Sequence, residues 1–197
     1  MNARSRSIAP RRGTGFTMLE VLVAILILSV GLLGLAGIYV VSVQNTKGAN
    51  LRTLATQQAY DIADRMRANI GALTVLSPTV PFYHMPTATQ HAACYTGTCT
   101  SQQMAENDYY EWNNPASATS NARVLPGGNG VVCLDSTPND GTWDGTTLTP
   151  ACDGLGTGYA IKLWWIEERG ERIGALLEEC PTTPCYRRFV TTLQPQP

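Results

Sequence analysis

The chain has 197 residues, 44% apolar and 15% charged, which suits one folded domain with an appendage and excludes a wholly disordered chain. A formal net charge of −1 and a pI near 6.1 exclude a nucleic-acid binder that works through bulk positive charge. The near balance conceals an asymmetry. Arg4, Arg6, Arg11 and Arg12 lie in the first 15 residues without an acid, whereas the remainder carries ten bases and fifteen acids, a net of −5.

Behind this basic head comes Gly15-Phe16-Thr17-Met18-Leu19-Glu20, and then no charge until Lys47. Residues 21–43 are almost all apolar, and about 20 such residues cross a bilayer as a helix. A secretory signal peptide has the same polarity, but its apolar core is shorter and ends in a small-residue cleavage site that is not evident here. Arginines ahead of the span, and none close behind it, place the head in the cytoplasm and the body on the far side. Glu20 is the anomaly, because an acid within a span costs about 2.5–3.5 kcal/mol at mid-membrane and less near an end. Two readings account for it: the carboxylate reaches the headgroups, or it awaits a positive partner in an assembly. A pair at ~4 Å in an effective dielectric near 20 gains up to ~4 kcal/mol before desolvation, which offsets the insertion cost.

Basic leader, Gly15, the run Phe16 to Glu20 and a long apolar helix together resemble the class III signal of type IV pilins and type II secretion pseudopilins. The resemblance implies that a prepilin peptidase cuts between Gly15 and Phe16, that the new terminal Phe16 is methylated, and that Glu20 meets a neighbour's terminal amine in the filament. It also implies a prepilin leader over 1–15, a transmembrane N-terminal half of a long helix over 16–45, and a periplasmic globular domain over 46–197.

The helical pattern continues past the span. Leu51, Leu54, Ala55, Ala59, Ile62, Met66 and Ile70 recur at three- and four-residue steps, with Lys47, Arg52, Asp61 and Arg65 largely off that stripe. A helix from about 16 to 70 is predicted, and its second half needs a domain to lie on. Gly31, Gly34 and Gly48 weaken it by up to ~1 kcal/mol each, and would permit a bend or a close contact. Residues 71–100, with Pro78, Pro81 and Pro86, read as loop. Thr100 or Ser101 caps a short helix presenting Ala105, Tyr109 and Trp112 and ending at Asn114 before Pro115. Leu125-Pro126-Gly127-Gly128-Asn129-Gly130 breaks the chain before a strand at 131–134. Residues 135–158 read as a long loop, and Tyr159 to Glu167 as the strongest strand, apolar on both sides of its alternation. A hairpin turn at Glu168–Glu171 leads into 172–178, and Tyr186–Leu193 forms a last strand. The predicted fold is α+β: a long N-terminal helix, half in the membrane and half amphipathic, packed on a small antiparallel sheet with disulfide-stapled loops.

Three islands narrow the resemblance: Tyr60 to Asn69 (YDIADRMRAN), Met104 to Trp112 (MAENDYYEW) and Leu125 to Gly128 (LPGG). With a late Trp-rich strand and a paired-Cys tail, they are similar to PilV-type minor pilins of Gram-negative bacteria. That implies a minor pilin which helps initiate or modify pilus assembly, in twitching motility or adhesion. Its implied partners are other minor and major pilins, prepilin peptidase, the inner-membrane assembly machinery and membrane lipid, with no nucleic acid. The implied location is a single inner-membrane pass with a periplasmic domain, then the pilus filament at the cell surface. A type II secretion pseudopilin is the alternative, and a membrane-tethered periplasmic enzyme or binding protein a more distant one.

Six cysteines, Cys94, Cys99, Cys133, Cys152, Cys180 and Cys185, all fall beyond the span, in a compartment where disulfides persist. Six allow fifteen pairings. Proximity suggests Cys94–Cys99 and Cys180–Cys185, leaving Cys133–Cys152, worth roughly 2 kcal/mol for each short loop and about 3 for the long one. Zinc at His91, Cys94, Cys99 and His84 is the weaker alternative, since the spacing matches no common module. Asp135, Asn139, Asp140, Asp144 and Asp153 suggest turns before calcium, because neither the Gly nor the terminal Glu of an EF-hand loop falls in register. No nucleophile elbow, P-loop, dinucleotide fingerprint or zincin motif is present, so a non-enzymatic protein without a cofactor is expected. Trp164-Trp165 and Tyr109-Tyr110 are read as packing residues before a binding surface.

Overall fold

Fifty-one residues, Met18–Ala68, form one helix, α1, opened by Thr17, whose hydroxyl and carbonyl both accept from the Glu20 N–H. The computed structural model describes residues 15–74, 81–167 and 186–195, which divide into two compact units, one up to Val43 and one from Gln44. In the first unit the side chains from Phe16 to Val43 are exposed, as an apolar stem awaiting a non-aqueous environment must be.

In the second unit the amphipathic part of α1 buries Ala55, Ala59, Ile62, Ala63 and Met66, with Leu51 and Leu54 packed at the margin. Small alanines at three of these positions let the helix backbone sit close to what it covers. The stripe stops one turn earlier than its periodicity suggests, and Ile70 is exposed. Asn69 breaks the helix, because its side-chain amide donates outward to Ser101 O (2.8 Å) and Tyr83 Oη (3.4 Å). The chain then restarts as the single turn α2 (Ile70–Thr74).

Residues 81–100 are less irregular than their composition implies. Met85 N–H donates to Val132 O, Tyr83 is fully buried, and Ala92–Thr96 makes a 3₁₀ turn. Helix α3 (Ser101–Asn113) begins with a full capping box: Thr100 accepts from Gln103 N–H, and Gln103 Oε1 accepts from Thr100 N–H. Its end at Asn114 precedes Pro115. A short helix, α4 (Asn121–Val124), follows and was not anticipated.

Strands β1 (Asn129–Leu134), β4 (Tyr159–Ile166) and β5 (Tyr186–Leu193) form an antiparallel sheet in the order β1-β4-β5. One face, carrying Val132, Tyr159, Ile161, Leu163, Trp165 and Leu193, joins the core with α1 and α3. Gly130 lies on this face because Trp112 occupies the space a Cβ would need, 2.6 Å from its ring. Across the sheet, Val131, Lys162 and Val190 are in register on the opposite face. That face is covered as well, by residues 135–158. Within them lies a two-stranded hairpin, β2 (Thr142–Trp143) with β3 (Leu148–Thr149), where only a loop was expected. Double coverage explains why β4 shows no polar alternation: seven of its eight residues are buried. The expected hairpin turn at 168–171 and the segment after it lie outside the described residues.

Candidate functional site

The N-terminal stem carries the residues that the sequence singles out. Phe16 is 81% exposed, and the candidate cleavage residue Gly15 has open space where a Cβ would stand. Glu20 lies in the first turn of α1, where the helix dipole favours an acid. Its backbone N–H is held by Thr17, and its carboxylate, among the described residues, makes no ion pair. Thr17-x-x-Glu20 has the spacing of a capping box, of which the half made by the Thr17 hydroxyl and the Glu20 backbone N–H is present. Behind it, α1 contains a stretch long and apolar enough to cross a membrane, none of it buried. Gly31, Gly34 and Gly37 continue the helix without a kink partner and face open space. Gly48, by contrast, is buried, and a Cβ there would come within 2.5 Å of the Glu167 carboxylate, which is ion-paired to Arg187 at 2.9 Å. Its role is close approach.

In the unit from Gln44, the cysteines and histidines considered for metal are engaged otherwise. Cys94–Cys99 and Cys133–Cys152 are disulfides, with Cα separations of 4.7 and 6.1 Å. Cys180 and Cys185 lie outside the described residues. His91 Nε2 meets Glu106 at 2.6 Å, while His84 Nδ1 accepts from Leu134 N–H at 3.1 Å. Accepting through Nδ1 requires His84 to be protonated at most on Nε2. Burial accordingly lowers the His84 pKa, against the pull of Asp153 and Asp135. The sign follows from linkage: a histidine depressed in the folded state binds fewer protons than the unfolded chain as pH falls below about 6.5. We expect the thermal midpoint to drop on acidification from pH 7.5 to 5, and to drop less in His84→Asn, whose Oδ1 keeps the acceptor without titrating. Equal slopes in melting curves of the two proteins would remove His84 from the account.

The aspartates of the 135–153 loop are likewise satisfied from within. Asp144 accepts from Thr147 and Thr146 N–H, and Asp153 first from the Ser136 hydroxyl and then from Leu155 and Ser136 N–H, which holds both carboxyls below the usual range. Cys133, Asp135 and Cys152 come close enough to suggest a metal trio, but both sulfurs are consumed by their mutual bond. Asp135 instead meets Lys162, a residue the sequence reading passed over. Only its charge in the middle of the best strand could have drawn attention to it.

A third polar cluster welds α1 to α3. Arg65 reaches Asp61 (3.1 Å), Asp108 (3.6 Å) and Glu111 (2.7 Å). Burial works against the Glu111 charge, yet the hydrogen bonds from Arg65, Tyr95 and Asn107 hold its carboxyl below the usual range. Tyr83 donates to Asp108 at 2.5 Å, and burial first, then that carboxylate, raises the phenol's pKa. Arg65, Met66 and Asn69, and Asp108 and Glu111, fall within two of the islands that suggested the PilV-type resemblance, and their work here is structural. The aromatic doublets are packed too: Trp165 is in the core, Trp164 is buried on the other face, and Tyr109 donates to Gly130 O at 3.0 Å.

Comparison with known families agrees with the stem. The prokaryotic N-terminal methylation motif matches residues 10–36, and the type IV pilin Tt1218 family matches residues 37–110. No curated protein and no solved structure matches the chain significantly. The chain is a type IV pilin-like protein carrying a class III prepilin signal. It is thus a pilin-type structural subunit, of a family that is typically not enzymatic, with a signal and apolar helix that fit inner-membrane anchoring and pilus assembly.

Proposed function

We propose that this protein is a minor pilin, held in the inner membrane with its domain in the periplasm until it enters a type IV pilus. There it helps initiate or modify assembly with other minor and major pilins, and so serves twitching motility or adhesion at the cell surface. One arrangement carries the reading: Gly15-Phe16 and Glu20 stand at the head of an exposed apolar helix, behind a basic leader. Prepilin peptidase cuts after Gly15, Phe16 is methylated, lipid holds the stem, and Glu20 is the acid that meets a neighbour's Phe16 amine. Cys180–Cys185 forms a third bridge in the oxidising compartment. The PilV-like islands favour a minor pilin over a type II secretion pseudopilin.

Deleting the gene and scoring surface pili and protein secretion side by side tests the role. Loss of pili or twitching with secretion intact is the expected result; the reverse pattern would make the protein a pseudopilin. Processing has its own measurement. The mature chain should begin with methylated Phe16, and Gly15→Trp should leave the leader uncut. Met1 retained in assembled pili, or a cut beyond Val30, would sink the pilin reading.

A further inference from the structure

Lys162 sits in the middle strand of the sheet, is 0% exposed, and has an apolar neighbour on each side strand, Val131 and Val190. Burying an ammonium is costly unless all three of its N–H groups find acceptors. Two of them do: Nζ donates to Asp140 Oδ1 at 2.5 Å and to Pro150 O at 2.8 Å. Its third neighbour, the buried Asp135 Oδ2, stands in ion contact at 2.5 Å without hydrogen-bond geometry. Those oxygens come from three separate points, residues 135, 140 and 150, of the segment that covers the sheet's second face. The Cys133–Cys152 bridge fastens the same segment at its ends.

Two carboxylates and a carbonyl converging on one point are hard oxygen donors of the kind calcium takes, three of the six to eight it coordinates at about 2.3–2.6 Å, the rest being open to water. We propose that this is a divalent-cation site filled by the chain's own cation: Lys162 folds the 135–153 loop in the place of a bound ion. A tethered ammonium makes the loop independent of ion concentration, whereas a loop held by free calcium would follow its concentration by mass action. The inference does not rest on the pilin reading, since it concerns only how the loop is held. It also explains why an Asp-rich loop that invites a calcium assignment lacks EF-hand register: no external ion had to be accommodated.

Lys162→Met is the informative variant. Methionine fills the aliphatic path of the lysine but ends one atom short of Nζ, leaving the donor set facing an empty seat. In the full-length protein in detergent micelles, the midpoint should fall by roughly 10 °C, as for one partner removed from a buried pair. About 10 mM calcium chloride should restore roughly 5 °C of that, while leaving the wild type unchanged. Magnesium, which demands stricter geometry, should restore less. Adding Asp135→Asn and Asp140→Asn to Lys162→Met should abolish the calcium response. A folded Lys162→Met protein indifferent to calcium, or a wild type that gains as much, would overturn the proposal. Should Lys162→Met not fold, Asp140→Asn decides: it keeps the Lys162–Asp135 pair, so the sheet should survive while proteolysis within 136–151 speeds up severalfold. Unchanged proteolysis there would show that Lys162 does not hold the loop.

Discussion

Glu20→Val is expected to be synthesised, inserted and processed, yet to be nearly absent from pili and from complexes with other pilins. The substitution removes an acid from the head of an apolar stem, so insertion should become easier by up to a few kcal/mol. It cannot unsettle the second unit's core, whose residues begin at Leu51. The Thr17 capping bond survives, because it uses the Glu20 backbone N–H and not the carboxylate. On the proposed reading, what disappears is the attraction between that carboxylate and the terminal amine of a neighbouring Phe16, a contact made only between subunits. The measurement is co-purification of tagged wild type and mutant with partner pilins, alongside their recovery in sheared pili. Equal recovery would reduce Glu20 to an acid in the first turn of the helix with no part in assembly. Glu20→Gln separates charge from shape: it should fail almost as badly if the ion pair matters, and behave like wild type if only a polar side chain is needed.

Trp112→Ala should be the most damaging single truncation in the domain. The indole is 1% exposed, packs against Gly130 on the sheet, lies 6.0 Å from the Tyr109 ring, and donates from Nε1 to Gln58 O on α1 at 2.7 Å. One side chain thus joins α1, α3 and β1. Removing it should cost about 3–5 kcal/mol, from lost burial and the cavity left behind, and the Gln58 carbonyl would lose its partner as well. Against a typical total of 5–15 kcal/mol, that is enough to threaten folding. Trp112→Phe keeps most of the packing and should lose roughly half as much. Gly130→Ala should be severe for the same reason, since the new methyl would press into the ring. Chemical denaturation read by far-UV circular dichroism would rank the three. A Trp112→Ala midpoint near that of the wild type would mean that the α3–sheet contact is dispensable.

What could be read along the chain, and what could not, differ in kind. Helix α3 was legible down to its cap, because Thr100, Gln103 and Pro115 act on their own backbone within a few residues. The strands at 159–166 and 186–193 were legible from β-branched and aromatic density. Ile70 was misplaced because a perfect helical period says nothing of Asn69, whose amide is drawn away by Ser101 and Tyr83. The β2–β3 hairpin escaped notice because two-residue strands leave no periodicity to detect. Gly48 read as a helix weakener that would permit a bend or a close contact, without the contact being named, and Gly130 as part of a turn. Both are required by a neighbour distant in sequence, Glu167 in one case and Trp112 in the other.

By itself the sequence determined the stem: a basic head, Gly15-Phe16, Glu20 and an uninterrupted apolar span are one-dimensional properties, written in charge and hydrophobicity along the chain. Tertiary structure alone decided the role of Lys162. In the strand it is a lone charge among apolar residues, and in the loop Asp135 and Asp140 are turn formers or calcium ligands. Only when β4 lies between β1 and β5, and residues 135–153 fold across its second face, do ammonium and carboxylates meet within 2.5 Å. Coulomb attraction acts on distance in space, and sequence separation does not encode that distance.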